Sequence, residues 1–131
     1  MIIMLGILFF SGASSGYKVL FSYAMIACLE RGLKLLMKRP RPFAVLPGVQ
    51  LSQPCKPLDS SHPSGDTMRV WYLALVVPAV FSMPFFVLLF FSLVAIIVSL
   101  GRIAFGVHFP LDVLGGVGLG FFGAGLHQLL F

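Results

Sequence analysis

Apolar residues run through this chain in long blocks, and the polar residues collect at the joints between them. The widest block, Val70 to Gly101, holds 32 residues without a charged side chain. As one helix it would be about 48 Å long at 1.5 Å per residue, well beyond a hydrocarbon core of roughly 30 Å. It therefore predicts two segments hinged at Ser82-Met83-Pro84, a shorter helix from about Gly65 to Phe81 and a longer one from about Pro84 to Phe105. Tyr17 to Met37 predicts another, interrupted only by Lys18, Glu30, Arg31 and Lys34, and Pro110 to Phe131 predicts a last. In that last block Gly116, Gly120 and Ala124 recur every four residues, a spacing that lets a neighbouring helix approach closely. Met1 to Ser14 is apolar but short for a span. With no basic stretch ahead of it, it reads as a membrane segment and not as a cleaved leader.

The one long polar stretch, Lys38 to Pro63, contains Pro40, Pro42, Pro47, Pro54 and Pro57, which exclude a continuous helix. Following the crossings in order, the chain leaves the first helix near Lys38, re-enters at Gly65, turns at Ser82, returns near Arg102 and leaves again at Pro110. All three charged junctions are therefore expected at one face of the membrane.

Composition agrees with this reading. A chain that is 59% hydrophobic and 10% charged, with a mean hydropathy of +1.03, cannot cover a soluble surface and is not disordered. The expected fold is a single domain over residues 1–131, an all-α integral membrane bundle of about five transmembrane helices. The formal charge of +5 would suit nucleic acid or another anionic partner, but the bases are confined to the junctions instead of covering a water-facing patch, which argues against nucleic acid. An anionic headgroup at the membrane surface is the expected partner, together with the membrane lipids. Cys28 and Cys55 have no metal-ligand spacing, and a bridge between them would require the polar loop to fold onto the first helix.

The junctions carry the chemistry. In the first, Lys34 lies one turn inside a helix end while Arg41 sits in the extended conformation imposed by Pro42, so two cations approach one point from different directions. Alone, this would be an ordinary positive flank. The second is Ser61-His62-Pro63-Ser64-Gly65-Asp66-Thr67, where Ser64 suits an N-cap and Gly65 permits close approach to the free amides of the first turn, a natural phosphate seat. In the third, Arg102 precedes His108, and Pro110 at a helix start places Asp112 where it can reach back toward the imidazole.

Together these junctions resemble the type 2 phosphatidic acid phosphatase superfamily, whose pattern is K-x6-RP, then PSGH, then SR-x5-H-x3-D. Lys34 through Arg41-Pro42 matches the first element, Pro63-Ser64-Gly65 most of the second, and Arg102, His108 and Asp112 the third, all at the same spacings. The match runs from residue 34 to residue 112. Two positions depart: Gly101 stands where serine is usual, and Asp66 stands where the second-motif histidine is usual.

The resemblance implies a membrane phosphatase that hydrolyses a lipid phosphate or isoprenoid diphosphate without metal or other cofactor, at a site facing the periplasm, cell exterior or lumen. Carried over by position, His108 is the nucleophile that forms a phosphohistidine, Asp112 orients it, and Lys34, Arg41, Ser64, Gly65 and Arg102 bind the phosphoryl group. The proton donor to the leaving group is open. Asp66 serves if buried and protonated, whereas pairing with Arg69, one turn later, holds it as a carboxylate. His62 is the auxiliary candidate. A diphosphate eases the difficulty, because phosphate leaves more readily than an alkoxide. The rival readings are a catalytically weak or inactive relative that still binds lipid phosphates, and a small structural or transport subunit whose charges are merely flanks. Lys38, Arg39 and Lys56 would favour a cytoplasmic site under the positive-inside rule, but cations fixed by a site are poor guides to topology.

Overall fold

The computed structural model describes residues 12–54 and 56–131, and among these residues there is no strand. The elements are α1 (Gly12–Met37), the single turn α2 (Pro42–Val45), α3 (Gly65–Val80), α4 (Phe85–Ala104) and α5 (Pro110–Leu130). The expectation of about five spans is met only in part. Among the described residues, α4 and α5 are long and apolar enough to cross a membrane. Helix α3 has 16 residues, roughly 24 Å at 1.5 Å per residue, and α1 carries four charges. The predicted segment Met1 to Ser14 falls outside the described residues up to residue 11, and so does Cys55, so the Cys28 pairing falls there too.

Backbone chemistry sets the ends. α1 stops where Lys38 takes a left-handed φ of 44° and Arg39-Pro40 follows. The α3–α4 hinge lies where the sequence placed it: Ser82 has φ 48°, and the amides of Ser82 and Met83 bond to Ala79 O and Pro78 O at 3.2 and 2.8 Å. Pro84 then precedes α4, and Pro110 opens α5 with the fixed φ that suits a first helical position.

α3 is the centre of the bundle, packed on α5 and α4, with α1 laid across α3 and α5. The small residues of α5 make this approach possible. A β-carbon added at Gly116 would lie 2.5 Å from Ser64 O, and one at Gly120 2.6 Å from the Trp71 β-carbon. Val19, Ile26, Met68, Tyr72, Val76 and Ala124 fill the buried core. Inside it, Ser22 Oγ meets Tyr72 Oη at 2.7 Å and His127 Nδ1 at 2.9 Å, while the Tyr72 hydroxyl donates to Val19 O at 2.9 Å. This polar junction ties α1, α3 and α5 together. Helix α4 is held mainly through Ala95 and Ser99, whose hydroxyl accepts from Trp71 Nε1 at 3.1 Å. Its remaining faces expose Phe85, Phe86, Phe90, Ile97 and Leu100, a surface that suits lipid and not water.

Candidate active site

The site lies at the end of the bundle where α1 and α4 finish and α3 and α5 begin. The polar loop is stitched over this end by Ser61 N to Arg39 O at 2.8 Å, Phe43 N to Gly106 O at 3.2 Å and Ser64 N to Asp112 O at 2.9 Å. Gly106 has φ 69°, and an added β-carbon would sit 2.9 Å from Gln50 O, so glycine is required there on both counts. That turn delivers His108, whose amide bonds to Arg102 O at 3.2 Å.

Arg41, extended before Pro42 (φ −88°, ψ 154°), is buried. Its guanidinium donates to Val107 O at 3.2 Å and to His108 Nε2 at 3.3 Å, and its NH2 nitrogen reaches Asp59 Oδ1 at 2.6 Å. The second Asp59 oxygen accepts from Lys34 Nζ at 2.5 Å, and Lys34 also pairs with Glu30 at 2.8 Å. Partial burial pushes the Asp59 carboxyl up, but Lys34 and Arg41 outweigh it and bring it down to about 2.

His108 is 3% exposed. Its Nδ1 lies 2.8 Å from Ser61 O. A carbonyl only accepts, so Nδ1 carries the proton and Nε2 keeps its lone pair, turned toward Arg41. Burial first, then the neighbouring Arg41 and Arg102 charges, lower the imidazole to about 4, against an opposing pull from the Ser61 carbonyl and Asp112. The ring is therefore neutral at neutral pH.

The arrangement around Asp112 differs from the expected one. Its nearer oxygen is 3.9 Å from His108 Nδ1, beyond hydrogen-bond reach. The carboxylate instead accepts from Ser61 Oγ at 2.5 Å and Phe109 N at 2.9 Å on one oxygen, and from Arg39 NH1 at 2.8 Å on the other. It thus grips Ser61, whose carbonyl holds the imidazole. His62 Nδ1 approaches the same carboxylate at 3.2 Å, and its ring lies against Gly115. Among the described residues, His62 makes no hydrogen bond with Lys34, Arg41 or Arg102.

At the start of α3, Ser64 occupies the N-cap position, but its hydroxyl meets Thr67 Oγ1 at 3.0 Å and does not cap a backbone amide. A β-carbon at Gly65 would lie 2.5 Å from Glu30 Oε1, so glycine admits that carboxylate to the first turn. Asp66 pairs with Arg69 at 3.3 Å, as its spacing predicts, and also with Arg102 at 2.9 Å. Arg102 Nε is buried with no hydrogen-bond partner among the described residues. Of the nominated residues, Arg41 meets His108 directly and Lys34 through Asp59, whereas Arg102 is tied through Asp66 to Arg69 and, like His108, Ser64 and Gly65, is not among the residues that line the adjacent cavity. Beside them opens a cavity of about 940 Å³ lined by Lys34, Arg39, Arg41, Asp59 and Arg69, among others. Arg41 both lines it and bonds His108.

Residues 15–130 match the model of the PAP2 superfamily. The chain belongs to that superfamily. Its fold is similar to that of LpxE from Aquifex aeolicus, with a TM-score of 0.82 and 26% identity over 97% of this chain and 74% of that one. It is also similar to the first transmembrane PAP2 type phosphatidylglycerolphosphate phosphatase from Bacillus subtilis, with a TM-score of 0.76 and 27% identity over 98% of this chain and 65% of that one. A curated relative, an undecaprenyl-diphosphatase from Sulfolobus acidocaldarius, is 32% identical over 105 residues, or 80% of this chain. The chain spans about half the length of that relative. With a transmembrane PAP2 neighbour and two bilayer-length apolar helices, this PAP2 protein is an integral membrane protein.

Asp59, Glu30, Ser61 and Arg39 were not singled out by sequence reasoning. No spacing rule connects Asp59 to Lys34 or Glu30 to Gly65. Ser61 meets His108 through a backbone carbonyl, which leaves no trace in residue type, and its hydroxyl reaches Asp112 at a sequence separation that no spacing rule connects. Arg39 offered the one visible signal, a second Arg-Pro beside the matched pair.

Proposed function

We propose that this PAP2 protein is a membrane phosphatase that removes the terminal phosphate of a lipid phosphate or isoprenoid diphosphate through a phosphohistidine on His108. The observation that carries this reading is the neutral, buried imidazole pinned through Nδ1 to Ser61 O, with Nε2 directed at a guanidinium. A phosphoryl group held by Lys34, Arg41 and Arg102 would present phosphorus to that lone pair. The N–P bond forms as the P–O bond to the leaving group breaks, and the imidazolium so created faces the Ser61 carbonyl and the Asp112 charge. Water then attacks phosphorus, the N–P bond breaks, and phosphate leaves. The unpartnered Arg102 Nε supports an anion here, since a buried donor without an acceptor costs about 1–3 kcal/mol that a phosphate oxygen would recover.

Both oxygens of Asp66 are engaged by arginines, so this residue holds Arg69 and Arg102 and does not donate a proton. A substrate whose leaving group needs no proton suits the site best, which favours a diphosphate over a phosphate monoester. The same observation favours a second reading, a slow enzyme on monoesters that still binds them well. We place the site at the outer or lumenal face, where labelling of the exposed Lys56 by an impermeant amine reagent in intact cells checks it.

The test uses purified protein with undecaprenyl diphosphate, phosphatidate and phosphatidylglycerol phosphate, with and without orthovanadate and EDTA. Phosphate release from the diphosphate, blocked by vanadate and indifferent to EDTA, is expected. His108→Ala abolishes turnover and retains vanadate binding. Wild-type turnover in His108→Ala would overturn the reading.

A further inference from the structure

We propose that Asp59 is an internal stand-in for substrate phosphate, filling the seat between Lys34 and Arg41 until a phosphoryl group with two negative charges displaces it. The proposal rests on the phosphatase reading of this site and adds what the site excludes: the singly charged phosphodiester headgroups of the surrounding membrane.

The geometry is that of a bound oxyanion. One Asp59 oxygen takes Lys34 at 2.5 Å and the other takes Arg41 at 2.6 Å, while Arg41 Nε bonds the Asp59 carbonyl at 3.1 Å. These are the two cations that a phosphoryl group beside His108 Nε2 would need. Asp59 also stands on the cavity wall with Arg41, so its contact holds Arg41 in place between the cavity and the nucleophile. Its side chain is 51% exposed and belongs to a stretch outside the helices. It can therefore swing away without unpacking the core. Lys34 keeps Glu30 as a partner when Asp59 leaves.

Charge sets the selectivity. The cavity wall carries seven cations against two carboxylates, Glu30 and Asp59, and an open basic cavity of that kind would collect any anionic lipid. A tethered carboxylate competes at an effective concentration of about millimolar or more. Exchanging it for a diester replaces one negative charge with one and forfeits the tether. A monoester or terminal diphosphate brings about two charges at neutral pH and gains a second interaction with the same cations. Because the Asp59 carboxyl lies at about 2, the seat is released by a competing anion and not by acidity.

The experiment uses the full chain in neutral detergent, with inorganic phosphate and phosphatidylglycerol in mixed micelles as probes. Asp59→Asn removes the competing charge and weakens the hold on the seat, so the inhibition constant of inorganic phosphate should fall by roughly tenfold or more, the factor by which an occupied seat weakens apparent affinity. Phosphatidylglycerol should inhibit Asp59→Asn competitively and leave the wild type almost untouched. Phosphate affinity that is unchanged or weaker in the variant would overturn the proposal and make Asp59 a scaffold for Lys34 and Arg41. A second measurement needs no variant: carbodiimide labelling of Asp59 in the wild type, read by peptide mass spectrometry, should rise severalfold when phosphate is added. Labelling that stays level or falls refutes displacement. A wild type that hydrolyses lipid diphosphate yet gives either negative result loses only the role of Asp59. A wild type that neither turns over nor binds vanadate loses the phosphatase reading and this proposal with it.

Discussion

Replacing Ser61 by alanine separates two ways in which Asp112 could serve His108. In the structure the Ser61 hydroxyl gives a 2.5 Å hydrogen bond to Asp112 while the Ser61 carbonyl receives the imidazole Nδ1–H at 2.8 Å. A hydrogen bond to a charged acceptor contributes about 1.5–3 kcal/mol. If it all bears on the position of the imidazole, Ser61→Ala should lower kcat by about ten- to a hundredfold. KM should hold, because Ser61 lies off the wall of the basic cavity. The competing route is direct attraction between the Asp112 carboxylate and the imidazolium of the intermediate across 3.9 Å, about 4 kcal/mol at an effective dielectric constant near 20. That route does not pass through Ser61. Single-turnover phosphoryl transfer in Ser61→Ala, Asp112→Asn and the double variant decides between them. Positioning through Ser61 makes the double variant no slower than Asp112→Asn to within a fewfold, since the serine has lost its charged acceptor. Losses that multiply would refute the relay and restore direct contact between Asp112 and His108.

Three further outcomes are expected. Asp66→His should raise phosphatidate hydrolysis relative to diphosphate hydrolysis, and an unchanged ratio of the two rates would remove this position from proton transfer. Because His108 is lowered to about 4, its neutral form is the one favoured by the fold: stability should be level above pH 6.5, fall as pH drops toward 4 and level again below. The acid limb of kcat/KM, corrected for ionisation of the substrate, should likewise lie near 4, and a limb at 6.5 would contradict the burial of the imidazole. Gly120→Ala should cost about 1–3 kcal/mol through overpacking against Trp71 and Met68, whereas Gly118→Ala, which meets nothing within 4 Å, should leave the melting temperature of the detergent-solubilised protein in place.

Much of the fold was legible because prolines and glycines punctuate it. Helices expected at Gly65 to Phe81, Pro84 to Phe105 and Pro110 to Phe131 are found at Gly65–Val80, Phe85–Ala104 and Pro110–Leu130. The start of α1 was not legible, since the Gly-Ala-Ser-Ser-Gly run from residue 12 has no apolar period, yet the helix includes it. In the site, positions along one helix or one tight turn could be read from spacing, as for Asp66 with Arg69. Contacts made across the proline-rich loop could not, because the path of that loop decides them. Spacing also misled once. His108 and Asp112 are four apart, but the Phe109 amide, Arg39 and Ser61 claim the carboxylate first, and the imidazole turns to a carbonyl instead.

The junction of Ser22, Tyr72 and His127 has a bearing on how the chain is made. Within a bilayer a lone hydroxyl or imidazole finds no water, and each such cross-helix bond contributes on the order of 0.6 kcal/mol, at most about 1.7. Ser22 and Tyr72 belong to α1 and α3, whereas His127 lies in α5, which follows both in the chain. During translation the first two can satisfy each other, but the third partner arrives only after α5 has entered. This junction is thus complete only once α5 is in place, and a polypeptide halted before it presents the α3 face that receives the α5 glycines uncovered to the machinery that inspects nascent membrane proteins.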